Sequence, residues 1–400
     1  MSPFKFDSQA LEFKPLKDVA HVIMGQSPPS SAYNDERSGL PFFQGKTEFG
    51  SLHPTPRKWC SMPTKIAEPE DILMSIRAPV GPTNIAIERA CIGRGLAAIR
   101  PKDGLRVRWL LYAFRAMESK IDSLGTGTTF KAISGDVLRH LEVPIAPLAY
   151  QDQAIEELEK QFSRLDEAVA NLQRVKANLK RYKASVLKAA VEGRLVETEG
   201  GWRKSTLGEE GSIIGGLTKN QKRNDLPLKL PYLRVANVYA NELRLDEIEY
   251  IGVAERELEK LLVRKGDLLL VEGNGSPDQI GRVALWNDAI PNCVHQNHLI
   301  KARFGGAVFP EWALIWMLSP VGRHGIERVS ASTSGLHTLS VGKVSRLPIG
   351  VPSLKEQVSI VAEVDRHLSI IREVETEVDT NLHRAQAMRQ STLHRAFTET

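Results

Sequence analysis

Four blocks of residues in the first half of this chain recur, in the same order, in the second, and a duplication of that kind limits the folds open to it. FKPLKDVAHVIMGQS (13–27) lies over KSTLGEEGSIIGGLT (204–218) at an offset of 191, setting Leu16, Ile23 and Gly25 against Leu207, Ile214 and Gly216. LPFFQ (40–44) lies over LPYLR (230–234) at 190, and EDILMSI (70–76) over GDLLLVE (266–272) at 196, which keeps Asp71 with Asp267. Near the ends of the halves the offset is 206, pairing Gln151 with Gln357, Ser185 with Ser391, Leu187 with Leu393 and Ala190 with Ala396. So small a drift indicates a tandem copy of roughly 200 residues, too large and too few in number for a solenoid. The full 400 residues also exceed what one hydrophobic core supports, so at least two domains are expected.

Each copy has one internal order, a mixed segment rich in glycine, proline and short apolar runs followed by a long helix. In the first helix Ile155, Leu158, Phe162, Leu165, Val169 and Leu172 alternate spacings of 3 and 4, the mark of a heptad seam. The second carries Val361, Val364, Leu368, Ile371, Val378, Leu382 and Leu393. Each would be roughly 60 Å long at 1.5 Å per residue. Two arrangements are open: each helix folds onto its own half, or the two pair as an antiparallel coiled coil, which two near-equal seams favour. The pieces 106–121 and 311–320 read as amphipathic helices at matching places, with Trp109 opposite Trp312 as core anchors.

Net charge is +5, and the excess lies outside the helices. Segments 150–200 and 352–400 together carry 15 basic and 17 acidic residues, leaving 38 basic against 31 acidic in the mixed segments. Cys60, Cys91 and Cys293 are widely spaced with no CxxC, which argues against a disulfide framework or a structural zinc site and for a reducing compartment. No apolar run approaches membrane-spanning length and the start lacks a long apolar stretch, so the expected location is cytoplasmic. Catalytic patterns fail on inspection. GLPFFQGKT (39–47) has five residues between its glycines where a phosphate loop needs four, and SPPS (27–30) lacks the aromatic last residue with which amino-methyltransferases stack on a flipped base. No glycine-rich cofactor turn follows a strand, and His295 with His298 lacks a third metal ligand. No catalytic residue and no metal site is assigned.

MGQSPPSSAYN (24–34), GLPFFQGKTEFG (39–50), DILMSIRAPVG (71–81), PLAYQDQAI (147–155) and HQNHL (295–299), with the duplicated architecture, resemble the DNA-specificity (S) subunit of type I restriction-modification systems over essentially the whole chain. The chain departs from the family at Tyr150, where glutamate is frequent, as at Glu356. The resemblance implies an α+β fold: target recognition domains at 1–146 and 199–351, and spacer helices at 147–198 and 352–400 forming an antiparallel coiled coil with a pseudo-twofold axis. It implies that each recognition domain reads one half of a bipartite, asymmetric site on double-stranded DNA. The helices would set the spacer and dock two methyltransferase subunits, with restriction subunits where the system has them. S-adenosylmethionine and ATP would then belong to the partner subunits.

Bases are read by Arg, Lys, Asn and Gln, and phosphates are held by cations, hydroxyls and backbone amides. On that ground the candidates in the first domain are Ser27, Gln44, Lys46, Arg77, Arg94 and Lys131, in or beside glycine-rich or polar turns. In the second they are the basic run Lys219, Lys222 and Arg223, then Arg234, Asn237, Asn274, Gln296, Asn297 and His337. Competing with this non-catalytic role are a coiled-coil protein-binding scaffold and a DNA methyltransferase or nuclease with an unrecognised active site.

Overall fold

The computed structural model describes residues 6–7, 11–127, 131–273, 279–330 and 338–397, and the chain divides into two compact units, 1–173 with 379–400, and 174–378. In the first unit strand Glu12–Pro15 pairs antiparallel with Glu142–Ile145. A four-stranded antiparallel sheet runs in the order Ala20–Met24, Leu96–Pro101, Ile72–Ser75, Thr83–Ile85. The second unit repeats both features: Arg203–Thr206 pairs with Pro348–Val351, and its sheet orders Gly211–Gly215, Leu299–Phe304, Leu268–Val271 and Val283–Leu285. Beside these lie sheets that differ, five strands in the first unit and three in the second. Even there one feature is shared, a strand from the LPFF or LPYL block running parallel to the strand that leads into the next turn (Phe43 opposite Ile92, Leu233 opposite His295).

Residues matched by the repeat do the same physical work in each unit. Asp71, buried, accepts from the Arg100 guanidinium at 2.7 and 2.8 Å and from the Glu68 N–H at 2.8 Å. Asp267, equally buried, accepts from Arg303 at 2.6 and 2.7 Å and from the Arg264 N–H at 2.7 Å. A carboxylate away from water needs this many donors, so the aspartate cannot drift while its sheet is kept. Gln151 and Gln357 are also fully buried, and each spends its amide identically. Gln151 accepts from Arg106 N–H and donates to the carbonyls of Gly104 and Ala146; Gln357 accepts from Phe309 N–H and donates to those of Ala307 and Pro352.

The matched tryptophans anchor the two cores. Trp109, on helix Val107–Ala116, donates its indole N–H to the Pro144 carbonyl at 2.8 Å, and Trp312, on helix Pro310–Leu318, donates to Gly350 at 2.9 Å. Where one helix is expected over 106–121, the chain breaks at Met117 (φ −95°, ψ 8°) into Val107–Ala116 and Glu118–Ser123.

Two helices of 44 residues each, Leu148–Val191 and Leu354–Phe397, cross both units. Within the first unit their segments 148–173 and 379–397 run antiparallel: Arg389 pairs with Asp166 and lies 4.6 Å over the Phe162 ring, while Phe397 stacks edge-on against Trp109, which also meets Tyr150. Within the second unit 174–191 and 354–378 do likewise, with the Tyr182 hydroxyl 2.9 Å from His367 Nδ1 and Glu356 accepting from the backbone N–H of Glu199. The helices therefore do not each keep to their own half. Leu393, Ala396 and Phe397 join the core of the first unit, and Val186, Leu187 and Ala190 pack with Ile360, Val364 and Leu368 in the second. Among the described residues no helix is long and apolar enough to cross a membrane.

Candidate nucleic-acid interface

In the first unit three separate loops meet around a cleft of about 480 Å³, lined by Gln44, Gly45, Lys46, Thr47, Ser75, Arg77, Ala78, Pro79, Arg94 and Gly95. Four of the six residues expected there, Gln44, Lys46, Arg77 and Arg94, thus share one face, and all four are exposed. The lining holds three cations and no carboxylate, and among the described residues none of the three makes an ion pair. A concave surface of unneutralised positive charge with an amide beside it suits an anionic polymer carrying hydrogen-bonding edges.

The backbone explains how these side chains come together. Gly25 ends strand Ala20–Met24 so close to the next loop that a Cβ there would stand 2.2 Å from the Gly93 carbonyl oxygen. Its counterpart Gly216 has the His295 oxygen at the same 2.2 Å, which is why the repeat keeps glycine at both places. Ser27 lies beside the cleft, its hydroxyl accepting from the Arg94 N–H at 3.2 Å. Lys131 contributes its backbone, whose carbonyl accepts from Ala78 N–H at 2.9 Å, while its ammonium is held by Asp122 at 2.5 Å.

The second unit handles its cations differently. Lys219 and Arg234 share Glu249, at 2.8 and 2.6 Å, and these two cations, Lys219 first, hold that carboxyl below its ordinary range. Arg223 makes a two-pronged pair with Glu257 at 3.0 Å and lowers its pKa likewise. Lys222 is exposed and has no ion-pair partner among the described residues. Asn237 is buried, its amide donating to the carbonyls of Arg244 and Glu247 and accepting from Arg234 N–H. Gln296 accepts from Val235 N–H at 3.3 Å, and Asn297 lies next to it, half-exposed. Asn274 and His337 lie outside the described residues.

Thr47 and Ser75 also line the first cleft without standing out in the sequence; Thr47 follows Lys46, and Ser75 ends strand Ile72–Ser75 two residues before Arg77. Tyr239 is likewise inconspicuous in the sequence, its ring covered by Arg244 at 3.9 Å and Arg282 at 4.6 Å. Arg244 lies five residues along the chain and Arg282 forty-three, so the pairing leaves no local sequence signal. His295 is buried with Nδ1 2.9 Å from the Leu299 carbonyl, and His298, exposed, lies 3.2 Å from Glu272. Among the described residues no group of three metal-ligating side chains converges.

Fold and cleft together define a duplicated α+β protein with long shared helices and an electropositive cleft in its first unit. A family model for the type I restriction modification DNA specificity domain matches residues 9–181. That stretch of the chain carries the type I specificity domain. A Methanocaldococcus jannaschii protein named for the MjaX specificity subunit is 43% identical over 149 residues, 37% of this chain and 34% of that one. The EcoKI specificity subunit of Escherichia coli K12 is 28% identical over 290 residues, 70% of this chain and 62% of its own length. This chain therefore spans about a third of the first relative and under two thirds of the second. Among solved structures, the HsdS subunit from Thermoanaerobacter tengcongensis is 44% identical over 42% of each chain with a TM-score of 0.36. The S subunit from M. genitalium is 16% identical over 100% of each at 0.41.

Proposed function

We propose that this chain is the non-catalytic DNA-recognition subunit of a type I restriction-modification complex, with recognition domains at 1–146 and 199–351 each reading one half of a bipartite, asymmetric duplex site. The observation that carries this reading is the cleft where Gln44, Lys46, Arg77 and Arg94 converge from three loops with no acidic residue among them. The two regions 147–198 and 352–400 set the spacer between half-sites and dock two modification subunits, which bring S-adenosylmethionine; ATP belongs to restriction subunits where these are present. Methylation is thus supplied by partners, in line with the relatives' names as specificity subunits.

The test is duplex binding by gel shift, with and without the modification subunits, across a salt series. Wild type should prefer one bipartite sequence. Lys46→Ala should weaken binding to all sequences and make the dependence of log K on log salt shallower by about one. Lys222→Ala should act on the second half-site in the same way. A chain that binds modification subunits yet shows no duplex preference would be a protein scaffold, and methylation by the chain alone would make it an enzyme.

A further inference from the structure

On that reading, base choice falls to particular side chains within each recognition domain. Three backbone hydrogen bonds recur around one short turn in the two units. In the first unit Gly93 N–H donates to the Phe43 carbonyl (2.8 Å), Leu96 N–H to Gly93 (3.0 Å), and Ile76 N–H to Gly95 (2.9 Å). In the second, Gln296 N–H donates to Leu233 (2.9 Å), Leu299 N–H to Gln296 (2.8 Å), and Glu272 N–H to His298 (2.9 Å). Gly93-Arg94-Gly95 and Gln296-Asn297-His298 are therefore the same turn in two copies, clamped to the same strands.

In the first copy the clamp is closed to a side chain at Gly95 and tight at Gly93. A Cβ on Gly95 would stand 2.2 Å from the Gln44 carbonyl oxygen, and one on Gly93 would stand 3.2 Å from the Gln44 Cα. Both glycines are buried and Arg94 between them is exposed, at the cleft edge beside Arg77. A rigid backbone that presents one variable side chain is what base selection requires, because a phosphate contact tolerates sliding and a base contact does not.

We infer that Arg94 and Asn297 occupy one and the same base-reading position in the two halves, Arg94 selecting a guanine in the first half-site and Asn297 an adenine in the second. The chemistry follows from the donors each side chain carries: a guanidinium offers two parallel N–H groups to guanine O6 and N7, and a carboxamide offers a donor and an acceptor to adenine N6 and N7. Lys46, also on the cleft, has a single ammonium on a flexible stem and is the phosphate contact by contrast.

The experiment maps methylated sites genome-wide in cells whose only specificity subunit is this chain or a variant. Arg94→Asn should change one position of the first half-site from guanine to adenine and leave the second half-site untouched; Asn297→Arg should do the converse in the second. Arg94→Ala, which removes the contact without adding another, should relax that same single position, with discrimination falling about 5- to 150-fold. An Arg94→Ala motif unchanged at every position, with lower occupancy throughout, would make Arg94 a phosphate contact and overturn the inference. Loss of all methylation in both Arg94 variants, with Asn297→Arg leaving its motif unaltered, would overturn it too. The absence of any bipartite motif in the wild type would instead sink the proposed function itself.

Discussion

His295 immediately precedes the turn that carries Asn297, and it has no room to take a proton. It is fully buried, its Nδ1 faces the Leu299 carbonyl, and its Nε2 has no partner among the described residues. Burial, with Lys301 adding a like charge, pushes its pKa down to about 4, against opposing pulls from the Leu299 carbonyl and Asp267. Between that value and the ordinary 6.5 the unfolded chain binds a proton that the folded one refuses, so the stability His295 allows is present above pH 6.5 and lost as pH falls toward 4. The loss could reach roughly 3 kcal/mol at about 1.4 kcal/mol per pKa unit. Replacing His295 with leucine should flatten this slope. Urea midpoints from hydrogen exchange of strand Leu299–Phe304 at pH 7 and pH 5 would show it, and an equal pH dependence in wild type and variant would dismiss the argument.

At the scale of elements, the last turn of the second helix supplies part of the first unit's core. Phe397 is buried against Trp109 with ring centres 4.6 Å apart, beside Leu393 and Ala396. Phe397→Ala should cost about 3–5 kcal/mol. The loss should appear as faster hydrogen exchange in the first unit, including strand Leu96–Pro101, with the second unit's strand Leu268–Val271 as protected as before; equal loss in both would mean that the units unfold as one. The repeat, the heptad seams and the matched tryptophans were legible in the sequence because each is a periodicity or an offset within it. Asp71 and Asp267 were legible as a pair, but their partners Arg100 and Arg303 were not, since a strand pairing 29 or 36 residues away leaves no local pattern. For the same reason Gln44, Lys46, Arg77 and Arg94 could be chosen by type and turn but not seen as one face. In the second unit Lys219, Arg223 and Arg234 read as free charge, because Glu249 and Glu257 lie 15 to 34 residues away along the chain.

For the whole molecule, the question is what two helices of 44 residues each are for. A helix lengthens by 1.5 Å per residue with little bending, so the proposed spacer role would turn residue count into distance. If the proposed spacer role is right, inserting four residues after Asn178 adds about 6 Å, comparable to roughly two base pairs of duplex at 3.4 Å each. The insertion also rotates the downstream helix by about 40° beyond one full turn and shifts the seam facing the partner helix, so some loss of affinity is expected. Specificity should respond differently. The loops proposed to contact bases are untouched, so both half-sites should keep their sequences while the preferred gap between them widens. Methylome mapping of the insertion variant, with the modification subunits present, reads both quantities at once. An unchanged gap at full methylation would show that the helices do not measure the site, and altered bases within either half-site would show that they help to shape the reading face as well as to space it.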